Sequence, residues 1–301
     1  MTALTQRLAS LVPVFRPSGI AVIGASRDPN KLSYGILRNL LDAERPFPGP
    51  VYPVNPKADE ILGARCYPNI AAVPDPVEMA ILVVAAPQVT ATAEACGQRG
   101  IKSLVVISGG FREVGPEGMA REQAMLEVAG RYGMRVVGPN GIGILITHLP
   151  LNTTFLKGTP PIGHIGFVSQ SGAMCGGIVD WAAGMGIGFS GLLSIGNQSD
   201  VNETDLLAYL AADEDTRVIT LYLEDIRGGR DFYPVLCEAA SRKPVLALKA
   251  GRTGSGQTAT ASHTGALASE HAAFRAACKQ AGAIEVERVQ DLFYGAVALA
   301  N

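Results

Sequence analysis

Ser18–Ala25 reads SGIAVIGA, a short apolar run closing on a glycine, and Lys31–Ala43 behind it places Leu32, Ile36, Leu37, Leu40 and Leu41 at helical spacing. A buried strand that turns on Gly24 into an amphipathic helix is the opening of an α/β fold with a parallel sheet. The pattern continues outward. Val51–Val54, Met79–Ala85 (MAILVVA), Ser103–Ile107 and Arg135–Val137 read as further strands, with helices over Gln88–Arg99 and Glu117–Tyr132 between them. After a connection rich in Pro, Gly and Thr, Leu151–Gly163, the rhythm restarts. Strands at Ile165–Val168, Gly191–Ile195, Val218–Leu223, Val245–Leu248 and Ile284–Val286 alternate with helices from Ser171, over Asn202–Ala212 and Arg230–Ala240, from about Gly265 to Gln280, and over Val289–Ala300. The expectation is two tandem doubly wound α/β domains, residues 1–150 and 151–301, each with its ligand at the carboxyl ends of its strands.

Composition narrows the class of partner. The 301 residues carry 25 Lys and Arg against 27 Asp and Glu, charged residues are 17%, and hydrophobic residues 48%, with mean hydropathy +0.22 and a pI near 6.1. A core of ordinary size is possible, and no basic run offers a footprint for nucleic acid or a membrane surface. Residues 136–199 hold two formal charges, Lys157 and Asp180, but Gly, Pro, Ser and Asn break every apolar run there, so no spanning helix is expected. Five scattered cysteines without a CxxC pattern imply a reducing compartment, the cytoplasm. Glycines number 35, well above the usual share of about 7%, and mark places where backbone turns tightly or approaches a ligand.

The first turn, Gly24-Ala25-Ser26-Arg27-Asp28, can offer backbone N–H groups to a phosphate, but it is not the dinucleotide fingerprint, because Ser26 stands where the second glycine belongs. The second strand ends in Asn55-Pro56-Lys57 where an NAD enzyme would place an acid for the ribose. A lysine there favours an additional phosphate, which demotes NAD and leaves NADP and coenzyme A. Ala85-Ala86-Pro87, Ser108-Gly109-Gly110 and Gly138-Pro139-Asn140-Gly141 fall at further strand ends, along the path of a crevice ligand.

In the second half, Ser169-Gln170-Ser171-Gly172 puts hydroxyls and a glycine where a strand hands over to a helix, suiting a phosphoryl group. A hydrolase elbow fails, since neither serine has glycines two positions to each side. The small-residue loop Lys249–Ser262 leads to His263, set to present an imidazole to a crevice. His271, eight residues on, makes no metal motif with it. A histidine attacking phosphorus needs its second ring nitrogen held by an acceptor. Glu224, at the end of Val218–Leu223, is placed for that, with Asp225 its nearest rival.

These pieces together resemble the nucleoside-diphosphate-forming acyl-CoA synthetases, the family that includes ADP-forming acetyl-CoA synthetase and the α subunit of succinyl-CoA synthetase. VIGAS (Val22–Ser26), YPVNPK (Tyr52–Lys57), ISGGF (Ile107–Phe111), GPNGIG (Gly138–Gly143), VSQSGA (Val168–Ala173), GN (Gly196-Asn197), LED (Leu223–Asp225) and SHTGALA (Ser262–Ala268) stand in the family's order. The resemblance implies an N-terminal Rossmann-like CoA-binding domain and a flavodoxin-like domain. It implies CoA along Gly24, Ser26, Lys57, Ala86, Pro87, Ser108, Pro139 and Asn140, His263 phosphorylated, Glu224 orienting it, and Ser169, Gln170, Ser171 and Gly172 cradling the phosphoryl group. The implied reaction is acyl-CoA plus ADP and phosphate giving acid, CoA and ATP, with ADP or ATP and Mg on an ATP-grasp partner in an oligomer and no tightly bound cofactor. A non-catalytic acyl-CoA sensor and an NADP oxidoreductase are the competing readings. Gly141 replaces a cysteine common in relatives, and nothing here looks like an ATP-grasp segment, so a separate subunit or a piece of a longer polypeptide is expected.

Overall fold

A computed structural model describes residues 3–251 and 271–300. The chain divides into two compact units. The amino-terminal unit is Ser10–Gly158 together with Gly196–Val201, and the carboxy-terminal unit gathers Thr159–Ile195, Asn202–Asn301 and the first nine residues.

Helix α1 (Ala3–Phe15) comes first, then β1 (Ile20–Ile23), α2 (Leu32–Leu40), β2 (Val51–Val54), the short hairpin of β3 (Glu60–Ile61) and β4 (Ala64–Arg65), β5 (Met79–Leu82), α3 (Ala86–Arg99), β6 (Ser103–Val106), α4 (Pro116–Tyr132) and β7 (Arg135–Val137). Strands β1, β5 and β6 are buried at every position, as a sheet covered on both faces requires. They pair in parallel in the order β2-β1-β5-β6-β7. The chain thus builds outward from β1 to β2 on one side and to β5 on the other, and the crevice at that reversal is where such sheets bind ligands. Strands β8 (Gly143–Ile146) and β9 (Leu151–Asn152) form an antiparallel pair that the apolar pattern does not announce, because β9 is two residues long.

Helix α1 is likewise an addition to the sequence reading. Its Leu11, Val14 and Phe15 are buried, and the carbonyl of Pro13 accepts a hydrogen bond from Ser103 Oγ at 2.7 Å. The segment Gly196–Val201 lies along β7, with Val201 N–H donating to Val136 O (3.0 Å), Ser199 N–H to Gly138 O (3.1 Å) and Asn197 N–H to Pro139 O (2.8 Å). Asp200 seals it by accepting from Arg135 Nε at 2.9 Å and from the Val136 N–H at 2.7 Å.

The carboxy-terminal unit repeats the architecture with β10 (Ile162–Ser169), α5 (Gly172–Met185), β11 (Phe189–Ser194), α6 (Glu203–Ala212), β12 (Val218–Leu223), α7 (Gly229–Arg242), β13 (Val245–Lys249), α8 (His271–Ala281), β14 (Ile284–Glu285) and α9 (Val289–Ala300). Its strands are parallel in the order β14-β13-β12-β10-β11, again with the reversal beside the first strand of the unit, here between β10 and β12. The core is aromatic. Phe293 of α9 sits edge-on to Phe167 of β10 and Phe189 of β11, with ring centroids 5.1 and 6.1 Å away, and tilted against Trp181 of α5 at 5.6 Å. Helix α6 begins with a capping box, in which Asn202 accepts from the N–H groups of Thr204 and Asp205 while the Asp205 carboxylate accepts from Asn202 N–H. Among the described residues no helix is long and apolar enough to cross a membrane.

Candidate functional site

In the amino-terminal unit the turn after β1 opens a cavity of about 350 Å³ lined by Gly24, Ala25, Ser26, Lys31, Leu32, Ser33, Asn55 and Val83. Gly24 has φ +85°, and a Cβ there would stand 2.3 Å from the Val83 carbonyl, so only glycine lets β1 pass this close to the end of β5. Its N–H and that of Ala25 donate to Val54 O at 3.1 and 3.2 Å, which fastens the turn to β2. Asn55 Nδ2 donates to Ala25 O at 2.6 Å. Helix α2 starts at the cavity wall without a side-chain cap on its first N–H groups, and Lys31 is its N-cap residue. Uncapped amides, a partial positive charge and a lysine at one helix start suit a phosphate or pyrophosphate group. Lys31, Ser33 and Asn55 were not singled out by sequence reasoning, although a lysine just ahead of a helix that follows a glycine turn is a usable signal.

The other strand ends converge by hydrogen bonds. Ser108 Oγ, after β6, donates to the Val84 carbonyl after β5, and the Ser108 carbonyl accepts from Asn140 N–H at 3.0 Å. Asn140 has φ +59° and follows a cis bond between Gly138 and Pro139. Ala86 and Pro87 open α3, with Pro87 within its first turn, where a missing N–H costs nothing. A Cβ on Gly110 would lie 3.0 Å from that of Ala86, so these two loops also touch. The structure therefore joins Ser108 to Asn140 and, through Val83 and Val84, to Gly24. Lys57 stands apart in the exposed turn after β2, its N–H donating to Asn55 Oδ1 at 2.8 Å.

A polar cluster that sequence reasoning missed fixes the loop after β6. Glu113 Oε1 accepts from the N–H groups of Gly110 (2.6 Å) and Phe111 (3.1 Å), and its Oε2 from Asn197 Nδ2 (2.7 Å). Burial raises the Glu113 carboxyl, but the hydrogen bonds from Asn197, Gly110 and Phe111 outweigh it and hold the group below the usual range. Glu122, almost wholly buried on α4, forms an ion pair with Arg112 and accepts from Ser199 Oγ at 2.5 Å and from Asn197 Nδ2 at 3.1 Å. Asn197 is thus the bridge between the two acids.

In the carboxy-terminal unit, Ser171 N-caps α5 by accepting from Met174 N–H at 3.3 Å, and its own N–H donates to Ser169 Oγ at 3.1 Å. Gly172 is the first helical residue. Gln170, at the same helix start, turns its side chain to the neighbouring strand end. Its Oε1 accepts from the N–H groups of Glu224 (2.5 Å) and Asp225 (2.8 Å), and its Nε2 donates to Asp225 O (2.6 Å). Glu224 is buried at the end of β12, so the structure brings it and the α5 start together at the reversal of the sheet. Lys249, ending β13, is 1% exposed and donates to the Glu224 carbonyl at 3.3 Å, and burial lowers its ammonium below the ordinary lysine value. His263 lies outside the described residues.

Residues 18–147 match the family described as CoA binding domain, and residues 162–299 that described as Succinyl-CoA ligase like flavodoxin domain. The acetate–CoA ligase (ADP-forming) I of Archaeoglobus fulgidus is 45% identical over 95% of this chain and 41% of its own length. The acetate–CoA ligase (ADP-forming) II subunit alpha of Pyrococcus furiosus is 43% identical over 92% of this chain and 60% of its own. A solved structure from Ca. Korarchaeum cryptofilum, described as dinucleotide forming acetyl-coenzyme A synthetase 1 in complex with phosphate and ADP, superposes with a TM-score of 0.92 at 42% identity, over 96% of this chain and 62% of that one. The chain spans between about two fifths and three fifths of the length of these relatives. With a CoA-binding unit, a succinyl-CoA-ligase-like flavodoxin unit and these relatives across nearly all of its residues, the chain belongs to the nucleoside-diphosphate-forming acyl-CoA synthetase family.

Proposed function

We propose that this chain is the CoA-binding and phosphohistidine-carrying part of an ADP-forming acyl-CoA synthetase. It interconverts acyl-CoA, ADP and phosphate with a carboxylic acid, CoA and ATP, in the cytoplasm and in an oligomer with an ATP-grasp subunit or domain that holds the nucleotide and Mg. The observation that carries this reading is the pair of sheet reversals in one chain. One has a glycine turn that a Cβ would obstruct and an uncapped helix start with Lys31. The other has a helix start beside the buried carboxylate Glu224.

In the first, the N–H groups of α2 and the Lys31 ammonium neutralise the pyrophosphate of CoA, and Lys57 takes a further phosphate on its ribose. Loops at Ala86-Pro87, Ser108 and Pro139-Asn140 guide the rest of the molecule past the strand ends. A phosphate oxygen attacks the thioester carbonyl, the C–S bond breaks, and the thiol departs with a proton. A ring nitrogen of His263 then attacks phosphorus, the acyl carboxylate leaves, and the P–N bond preserves transfer potential for ADP. Glu224 holds the opposite ring nitrogen so that the attacking one is unprotonated. Ser169, Ser171 and the amides at Gly172 neutralise the phosphoryl oxygens. Gln170 serves that cradle by holding it in place: its side chain braces the backbone of Glu224 and Asp225, and its N–H donates to Tyr222 O at 3.2 Å.

The test is phosphoryl labelling. The protein, combined with an ATP-grasp partner subunit and given radiolabelled phosphate and acetyl-CoA, is expected to carry acid-labile, base-stable label that His263→Ala abolishes. CoA binding without label in any pairing would overturn the catalytic reading and leave an acyl-CoA sensor.

A further inference from the structure

Four backbone groups in the first two residues of the loop after β12, and a fifth at Arg227, are held by buried polar side chains from three other elements. Gln170 engages the N–H groups of Glu224 and Asp225 and the Asp225 carbonyl, and Lys249 engages the Glu224 carbonyl. Two residues on, Arg227 N–H donates at 3.2 Å to Oε1 of Glu203, the first residue of α6. Glu203 is 0% exposed, its carboxylate also accepts from its own N–H and, at 3.4 Å, from Thr204 Oγ1, and its Oε2 has no partner among the described residues. Asp225, Ile226 and Arg227 are only half-buried, so the loop has little apolar anchorage of its own.

A fully buried acid is a costly residue to place there. An amide would make the same hydrogen bond without the larger desolvation cost of a carboxylate, and an apolar side chain would avoid the orphaned oxygen. Apart from its own N–H and its helix neighbour Thr204, the group it engages is the Arg227 N–H of the loop that starts at Glu224.

We infer that Glu203 is a positioning residue for Glu224: by accepting the Arg227 N–H it fixes the far end of a short loop whose near end Gln170 and Lys249 hold, and so sets where the Glu224 carboxylate stands. This rests on the role proposed above for Glu224. With Glu203 in place the loop is tied at both ends. Without it, residues 225–228 pivot about the Gln170 clamp and the carboxylate swings with them.

The experiment compares Glu203→Gln, Glu203→Asp and Glu203→Leu with the natural protein. Gln keeps an acceptor at the same reach, Asp keeps the acid but falls a methylene short, and Leu keeps the volume alone. Amide exchange followed by mass spectrometry is expected to speed up at least tenfold at residues 225–228 in the Asp and Leu variants and to stay within about threefold in the Gln variant. In the complex with the ATP-grasp partner, initial phosphoryl labelling is expected to fall at least tenfold with Asp or Leu and to be largely restored with Gln. Should Leu fail to fold, Asp carries the comparison. Unchanged exchange in the Asp variant, or equal loss of labelling with Gln and Asp, overturns the inference. Absence of label in the natural complex overturns the phosphohistidine reading instead, while the exchange rates still decide whether Glu203 positions the loop.

Discussion

Gln170 grips the chain at Glu224 and Asp225 through three hydrogen bonds of 2.5 to 2.8 Å, although 54 residues separate it from Glu224. The side chain stands just after the first strand of the carboxy-terminal unit and the backbone just after its third, which are neighbours only because the sheet reverses between them. Gln170→Leu removes acceptor and donor together and leaves the N–H groups of Glu224 and Asp225 without their partner. At about 1–3 kcal/mol for each such group, a loss on the order of 2–6 kcal/mol is expected in urea unfolding monitored by Trp181 fluorescence. A loss under about 0.5 kcal/mol would mean that water replaces the amide and that the grip has no mechanical value.

Gly24→Ala tests the first crevice. The methyl group would meet the Val83 carbonyl at 2.3 Å, and the residue would have to keep φ +85°, so the turn must move away from β5. The expected result is a fall in CoA affinity of at least tenfold by calorimetry, with stability lower by about 1–3 kcal/mol. Retention of full affinity would place the coenzyme somewhere other than this turn.

The strand-turn-helix at Gly24 was legible because an unbroken apolar run closing on a glycine is followed directly by apolar residues at helical spacing, and the start of α5 was legible from its serines and glycine. Strand order was not, since nothing in an apolar run states its neighbours. The pairing of Gln170 with Glu224 was hidden for that reason, and so was the return of Gly196–Val201 to β7. The Asn197 bridge between Glu113 and Glu122 depends on that return. Two residues of the second crevice did leave a trace. Lys249 closes the otherwise apolar strand VLALK, and Glu203 precedes the apolar stretch of α6, each a charge where burial penalises one. A charge in such a place signals a buried partner, but the partner itself is a matter of three dimensions.

A truncated ligand isolates the role proposed for Lys57. It is exposed, so its contribution to folding is small, and a lysine at the end of the second strand suits a phosphate on the adenosine ribose. Lys57→Met is expected to weaken CoA binding about tenfold while leaving dephospho-CoA binding within about twofold, a difference on the order of 1.4 kcal/mol. Equal weakening of both ligands would show that the lysine acts through the turn at Asn55 and not through that phosphate.

Glu203 makes a prediction about pH that does not depend on catalysis. Burial, reinforced by the negative charge of Asp225, pushes its carboxyl up to about 8 from a starting value of 4.5. Among the described residues no basic side chain lowers it in return. Arg227 contributes its backbone N–H, Thr204 its hydroxyl, and Asp205 on the same helix is paired with Arg7 of α1. Below pH 4.5 the folded and unfolded chains both carry the proton. Between 4.5 and about 8 the folded chain keeps it and the unfolded chain releases it, so this residue's contribution to stability falls as pH rises through that window. At about 1.36 kcal/mol for each pH unit of difference, the total is on the order of a few kcal/mol. Glu203→Gln cannot lose a proton and lacks this descent. Unfolding free energies measured from pH 5 to 8 are therefore expected to diverge, with the Gln variant gaining on the natural protein as pH rises. Parallel curves would show that the Glu203 carboxyl ionises in the folded state as readily as in water and would overturn this prediction.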